Sequence, residues 1–378
     1  MRRSRSIALA VGIAGAVPSL IGAMFDRDQF FESYLFGFLF WTGLGLGCFG
    51  LVMLHHLVGG RWGLVTRRFF EAGQATMPLM ALLFIPLLFA LHTLYGWDRP
   101  QDVAHSEVLQ HRHAYLTLPF FIVRMMGYFI LWIGMARVLN RGSRDQDATV
   151  NPEPTRRLRT FSGPGLVVYV LSASFAIIDL VLSLEPDWYS TIFPILLVVG
   201  QTLAALALGI LMLAIMARQE PFGAVVTPTH FHHLGNLMLA FVMLWAYLSF
   251  SQLIIIWSGN LPAEISWYLD RDTPGWKLVA LALGLFQFAI PFALLLSRQL
   301  KHQIRFLGGL AVLILLFHVV DVYWMVAPTF QDHAFHPHWL DATVLLAIGG
   351  LWVAWFLTQL QSCPLIPLND PRTAEAHL

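Results

Sequence analysis

The chain is short of charge. Only 12% of its 378 residues are Asp, Glu, Lys or Arg, where soluble domains carry about a quarter. Cysteine is scarce as well. Cys48 and Cys363 stand alone, in or at the end of apolar segments, with no CxxC and no Cys/His spacing. They offer neither a disulfide framework nor a zinc or iron–sulfur site. Long polar segments are missing too: the longest, 139–162, is rich in Arg, Asp and Pro and too short to be a catalytic domain. A net charge of +1 says nothing about nucleic acid, so the distribution of charge matters more than its sum; no nucleic-acid partner is expected.

What fills the chain is hydrophobic, 57% of it, with a mean hydropathy of +0.66. Apolar runs near 20 residues recur throughout, the length that crosses a bilayer as a helix. Uncharged runs bounded by polar clusters predict ten spans. They lie near 7–25, 33–58, 75–95, 114–138, 163–184, 190–217, 231–257, 275–297, 304–327 and 339–361. The expected fold is therefore an all-α polytopic membrane protein with both termini on one side. The opening MRRSRS mimics a signal peptide, but no small-x-small cleavage site leads into a soluble domain, so a retained first span is expected.

The positive-inside rule selects the side. With cytoplasmic termini, 17 of the 23 Lys and Arg fall inside, Arg372 among them, five fall outside and Arg124 lies within a span. The acidic residues lean outward, from Asp26 to Asp272. Both termini are expected in the cytoplasm, and membrane lipids are expected neighbours.

Two spans echo each other. Phe175-x3-Asp179-x6-Pro186 matches Phe317-x3-Asp321-x6-Pro328 in spacing. These are spans five and nine, four helices apart and parallel, which fits two four-helix bundles. The expected organisation is a flanking helix and outer loop (1–32), bundle 1 (33–184), bundle 2 (185–327), then a flanking helix and tail (328–378).

Carboxylates inside spans need a reason. A buried one costs a few kcal/mol and tends to neutralise or find a partner. Asp179 and Asp321 are candidates for a proton route entered from outside, or for the acid/base partner of a bound redox molecule. The alternative for Asp179 is a salt bridge with Arg124 of the preceding span. His318 shares a face with Asp321 at i, i+3. Near the inner boundary, 53-MLHHLVGGRWG-63 and 230-HFHHLGN-236 bring His55, His56, His230, His232, His233 and Asn236 to one depth. Histidine titrates in the physiological range, so such a cluster can pass protons; it can equally be hydrated interfacial side chains. Gln201, Tyr247, Gln252 and Gln287 add polar atoms near mid-membrane, where glutamine often only joins helices.

A competing reading of the histidines is b-type haem, with His55 or His56 facing His233 and His92 facing His318. Two histidines about 13 residues apart on one helix, which would support stacked haems, occur in no span. The aromatics Trp97, Trp188, Tyr189, Trp257, Trp267, Tyr268, Trp276, Trp324 and Trp339 gather at the outer boundary and read as an interfacial belt.

Longer strings carry a resemblance. They are 33-SYLFGFLFWTGLGLGCFGLVMLHHLVGGRWG-63, 67-RRFFEAGQATMPLMALLFIPL-87, 118-LPFFIVR-124, 173-ASFAIIDLVLSLEPDWYSTIF-193, 242-VMLWAYLSFSQLIIIWSGNLPAEISWYL-269, 320-VDVYWMVAPTF-330 and 339-WLDATVLLAIGGLW-352. Over most of its length the chain resembles the smaller NrfD-like (polysulfide-reductase-type) membrane subunit of alternative complex III, a quinol:cytochrome c oxidoreductase. The resemblance implies a ten-helix subunit of the bacterial inner membrane. It implies a larger NrfD-like subunit beside it, periplasmic iron–sulfur and haem c subunits above it, and a cytochrome c-like acceptor or terminal oxidase downstream. Haem and iron–sulfur centres would belong to those partners alone, with quinol or quinone the one redox molecule this chain could meet. In that family the better-supported quinol site belongs to the larger subunit, close to an iron–sulfur cluster; the smaller one is often labelled quinone-binding and is a candidate for proton conduction or scaffolding. Asp179, Asp321, His55 and His56 fall within the matching strings. The remaining alternatives are a purely structural anchor of the same complex and a stand-alone secondary transporter.

Overall fold

The computed structural model describes residues 2–331 and 335–370, and Arg372 lies outside them. Among the described residues there is no strand, and ten helices are long and apolar enough to cross a membrane. They are α1 (Arg2–Phe25), α2 (Arg27–Val58), α3 (Arg61–Leu88), α4 (Leu118–Ala148), α5 (Glu153–Leu184), α6 (Ile192–Met216), α7 (Pro228–Gly259), α8 (Pro274–Leu296), α9 (Ile304–Phe330) and α10 (Trp339–Leu360).

Two of these helices, α3 and α5, begin ten or more residues before the spans their hydrophobicity indicates. The third span was expected near 75, but its helix starts at Arg61 and bends after Gln74 and again at Phe84. Its first turns carry Arg67, Arg68 and Glu71, all buried. They can be buried because they neutralise one another. Arg67 pairs with Glu71 (3.1 Å) and Asp370 (2.9 Å), and Arg68 pairs with Glu71 (2.7 Å) and with Asp147. Ser143 donates to Glu71 at 2.6 Å. The stretch 139–162, expected as a loop, is nearly all helix: α4 runs on to Ala148 and α5 begins at Glu153. Its charges sit on extensions of the two spans rather than on a disordered link.

α1 and α10 run antiparallel, Gly12 touching Gly350 and Gly22 touching Trp339 and Leu340. Both ends of the described chain therefore lie on one side, here the termini face; the opposite side is the far face. α2, α3, α4 and α5 close a ring in which each packs against the next, and α6, α7, α8 and α9 close a second. The rings meet where α2 lies along α6. These two are the central helices: 94% of the apolar window of α2 and 78% of that of α6 are buried, against 22% for α7 and α8, which leaves the latter pair facing outward. Close approach of α2 and α6 depends on small residues. A Cβ on Gly47 would lie 2.1 Å from the carbonyl oxygen of Gln201.

The far face is closed by packed aromatic rings. The interfacial belt expected there is realised only by Tyr189, Trp257 and Trp339, each at least half exposed, whereas Trp97, Trp188, Trp267 and Trp276 are buried. Trp188 stacks on Trp267 (5.1 Å), and Trp267 meets Trp324 edge-on (4.9 Å). Trp188 donates its indole N–H to the Glu264 carbonyl at 2.8 Å. Such rings bury large apolar areas, which suits a layer joining helix ends as well as a lipid interface.

Candidate functional site

The two echoed aspartates occupy the fourth helix of each ring, in different surroundings. Asp179 is fully buried one residue before the α-helical part of α5 ends at Leu180. Arg124 of α4 grips it with two parallel bonds, Nε to Oδ2 at 3.0 Å and Nη2 to Oδ1 at 2.9 Å. The Tyr128 hydroxyl donates to Oδ2 at 3.0 Å. Arg124 also donates to the Tyr115 carbonyl at 2.8 Å and lies over the Tyr115 and Phe120 rings. The pair is bidentate and further hydrogen-bonded, the geometry that repays the desolvation of a buried ion pair. Asp179 is thus the partner of Arg124, and the structural alternative describes it best.

Asp321 differs. It lies five residues before the α-helical part of α9 ends at Val326, with no arginine or lysine paired to it among the described residues. Trp245 of α7 donates its indole N–H to Oδ2 at 3.1 Å, and His318 Nδ1 lies 3.7 Å from the same oxygen. Oδ1 of Asp321 and both ring nitrogens of His318 have no hydrogen-bond partner among the described residues. Buried polar atoms left so call for an explanation, whether strain, a chemical role, or an ordered water or ion. Gly200 of α6 lets this pair approach: its Cβ position is 3.3 Å from the His318 ring and 3.4 Å from Asp321.

Asp321 also lines a cavity of about 740 Å³ between α7, α8 and α9. Leu196, Phe288, Leu283 and Met325 supply apolar walls, while Trp245, Gln252, Tyr268 and Arg271 supply the polar atoms. Tyr247 and Phe250, both about two-thirds exposed, form its outer rim on α7. Volume and lining match a site for an amphiphile with a small polar head: mostly apolar, with a few convergent polar groups.

The wall on α8 has an unusual backbone. Pro291 has no N–H to give the carbonyl four residues earlier, and the chain widens into a π-helix over Leu283–Ala289, with Ile290 N–H bonding Leu285 O. Gln287, fully buried inside this segment, has no partner for its side-chain amide among the described residues. π-Bulges of this kind recur at functional sites.

At the far-face end, Gln252 accepts from Ser190 at 3.0 Å and donates to Tyr268 at 3.4 Å, so it belongs to the far-face layer and not to mid-membrane. Arg271 donates to the carbonyls of Trp267, Trp324 and Met325 and lies over the Trp267 ring at 3.6 Å. Burial pulls its guanidinium down to about 10, while Glu185 and Asp270 hold it up; it stays charged at neutral pH.

The other candidates are not brought into one array. Gln201 faces α2, its side chain against Gly43, and its Oε1 has no partner among the described residues. His55 and His56 are buried in the last turn of α2, with His55 edge-on to Trp62. His233 is half-buried on α7 beside His232, which stacks on His302 at 4.7 Å. His230 caps the start of α7 with Thr227. Asn236 is held by Lys301 at 2.6 Å. The outer haem pairing is not formed: His92 is exposed near Asp98 on the first ring's far-face loop, while His318 is enclosed against Phe40. Among the described residues, no group of three or more His, Cys, Asp and Glu is placed to hold a metal. Trp245, Tyr268 and Arg271 join the site without having been singled out for it. Only tertiary packing brings them to Asp321; no spacing in the sequence marks them.

No protein-family model matches this chain, and no curated protein matches it.

Proposed function

We propose that this chain is a membrane subunit of a respiratory quinol-oxidising complex, of the alternative complex III type that its long strings resemble, and that it takes a quinol into the cavity beside Asp321. The observation that carries the reading is the pairing of that cavity with a carboxylate oxygen lacking any partner among the described residues. A quinol is a flat apolar ring bearing two hydroxyls and a lipid-soluble tail. The apolar walls suit the ring, Asp321 and Gln252 offer acceptors for hydroxyls, and the rim at Tyr247 and Phe250 opens where α7 faces outward.

The chain's own chemistry is then to orient the ring and to accept one hydroxyl proton at the Asp321 carboxylate, with His318 next to it, while the second hydroxyl proton leaves to water at the far face as two electrons are withdrawn. The electrons pass to a redox centre of a partner subunit, an iron–sulfur or haem c protein at the far face. A larger NrfD-like subunit beside the chain and a cytochrome c-like acceptor or terminal oxidase complete the assembly. In this reading the far face is periplasmic, the membrane is a bacterial inner membrane and the termini are cytoplasmic, in line with the 17 basic residues on that side.

The anchor reading draws its support from Asp179, whose partners are all structural. A transporter would need matching breaks in matching helices, but α3 and α8, the interrupted ones, hold the second and third places in their rings.

The test uses the complex reconstituted in liposomes, wild type against Asp321→Asn, with quinol oxidation and proton release both recorded. Loss of both with the complex intact supports quinol chemistry at this chain. Loss of proton release alone would make Asp321 a proton relay for chemistry elsewhere. Unchanged activity would reduce the subunit to an anchor.

A further inference from the structure

A second, larger cavity of about 1030 Å³ lies at the termini face, against α3, α4, α5 and α10. Its membrane-side wall is apolar, formed by Pro78, Ile133, Ala136 and Phe161. Its other wall is basic. Arg137, Arg141 and Arg144 line it from α4; at i, i+4 and i+7 they share one helical face. All three are exposed and none forms an ion pair with the described residues. Arg157, also in the lining, is neutralised by Glu153 at 3.0 Å. Asp145 is the remaining acid of the lining, so positive charge exceeds negative by two.

Depth places this wall at a headgroup. From Leu118 to Ala136, α4 spans about 19 residues, roughly 28 Å at 1.5 Å per residue, close to the thickness of a bilayer's hydrocarbon core. The arginines begin at the next residue. A cavity that is apolar on the membrane side and basic at headgroup level has the form of a site for a lipid phosphate.

We propose that this cavity binds an anionic phospholipid, its phosphate held by Arg137, Arg141 and Arg144 and its acyl chains against Ile133 and Phe161. Free phosphate lacks the acyl chains that would fill the apolar wall, and zwitterionic lipid lacks the net charge. The site is independent of the quinol reading, being in the other ring and at the other face.

The test is thermal unfolding of the delipidated full chain in detergent, with phosphatidylglycerol, phosphatidylcholine or inorganic phosphate added. Phosphatidylglycerol is expected to raise Tm by about 3–8 °C, the size that saturating ligand gives a chain of this length. The other two are expected to leave it within about 1 °C. The variant R137Q/R141Q/R144Q is expected to keep the unliganded Tm and lose the shift. A charge-matched control, R218Q/R298Q/R305Q, should retain it. Equal stabilisation by phosphatidylcholine or by phosphate, or a full shift in the first variant, would overturn the proposal. Should the triple variant unfold, the single variant R141Q is read instead, expected to need several-fold more phosphatidylglycerol for the same shift; an unchanged requirement overturns the proposal.

Discussion

Trp245 holds one oxygen of Asp321 through its indole N–H, at 3.1 Å across the α7–α9 contact, and leaves the other without a partner among the described residues. The carboxylate is thereby fixed in the cavity wall, with Oδ1 buried and outside the hydrogen bonds of the described helices. A hydrogen bond to a charged group is worth about 1.5–3 kcal/mol, and 1.4 kcal/mol is about tenfold in rate. Trp245→Phe keeps the ring and deletes the donor, so quinol oxidation by the complex is expected to fall at least about tenfold while the complex still assembles. Tyr247→Phe, on the exposed rim, is the companion variant and should stay near wild type. Equal activity in both variants would remove Asp321 orientation from the mechanism.

The other aspartate should behave as a strut. Removing one member of a buried ion pair costs about 3–5 kcal/mol, because the other charge is left uncompensated. Arg124→Gln leaves Asp179 with tyrosine hydroxyls such as that of Tyr128 and no cation among the described residues and should lower Tm sharply. Adding Asp179→Asn to it should restore part of the loss, since both charges are then gone. Turnover per intact complex is expected to be unchanged in whichever of these variants assembles. A selective loss of proton release in Asp179→Asn would contradict the structural role.

How much of this was legible in the chain follows from what each feature depends on. The ten spans needed only long apolar runs, which announce themselves locally. The Arg124–Asp179 pair could be read as an alternative because its members sit on consecutive spans at similar depth. The buried start of α3 could not: Arg67, Arg68 and Glu71 look like a loop until Asp147 and Asp370, far along the chain, come to neutralise them. The far-face tryptophans looked interfacial because exposure is set by neighbours, here one another. The cavity was invisible for the same reason, its walls coming from three helices and a π segment that Pro291 alone only hints at.

Two glycines should give opposite outcomes under the same substitution. A Cβ on Gly47 would lie 2.1 Å from Gln201 O and 2.6 Å from its carbonyl carbon. Both atoms are backbone, so relief requires α2 and α6 to separate. Gly47→Ala is expected to abolish a stable fold or lower Tm by many degrees. Gly134→Ala, on α4 where a Cβ meets nothing within 4 Å, should be neutral or stabilising by up to about 1 kcal/mol from helix propensity. Detergent-extracted yield and Tm of the two variants decide it; similar values would mean that the α2–α6 contact is looser than the packing indicates.

Glu185 gives a dependence on pH. It follows α5, accepts from Thr329 at 2.7 Å and lies 3.7 Å from Arg271, tying the end of the first ring to the far-face aromatic layer. Burial holds its carboxyl above the usual value of 4.5, outweighing the opposing pull of Arg271 and Thr329. The folded state therefore binds the proton more tightly than the unfolded chain does. The stabilising contribution is complete below about pH 4.5 and is lost as pH rises through the folded-state value. Glu185→Gln mimics the protonated side chain and keeps an amide oxygen for Thr329. Its Tm should match wild type near pH 4 and exceed it increasingly toward pH 8. If the variant is instead the less stable one at pH 8, the Arg271 contact outweighs desolvation and the carboxylate is a true salt-bridge partner of the far face.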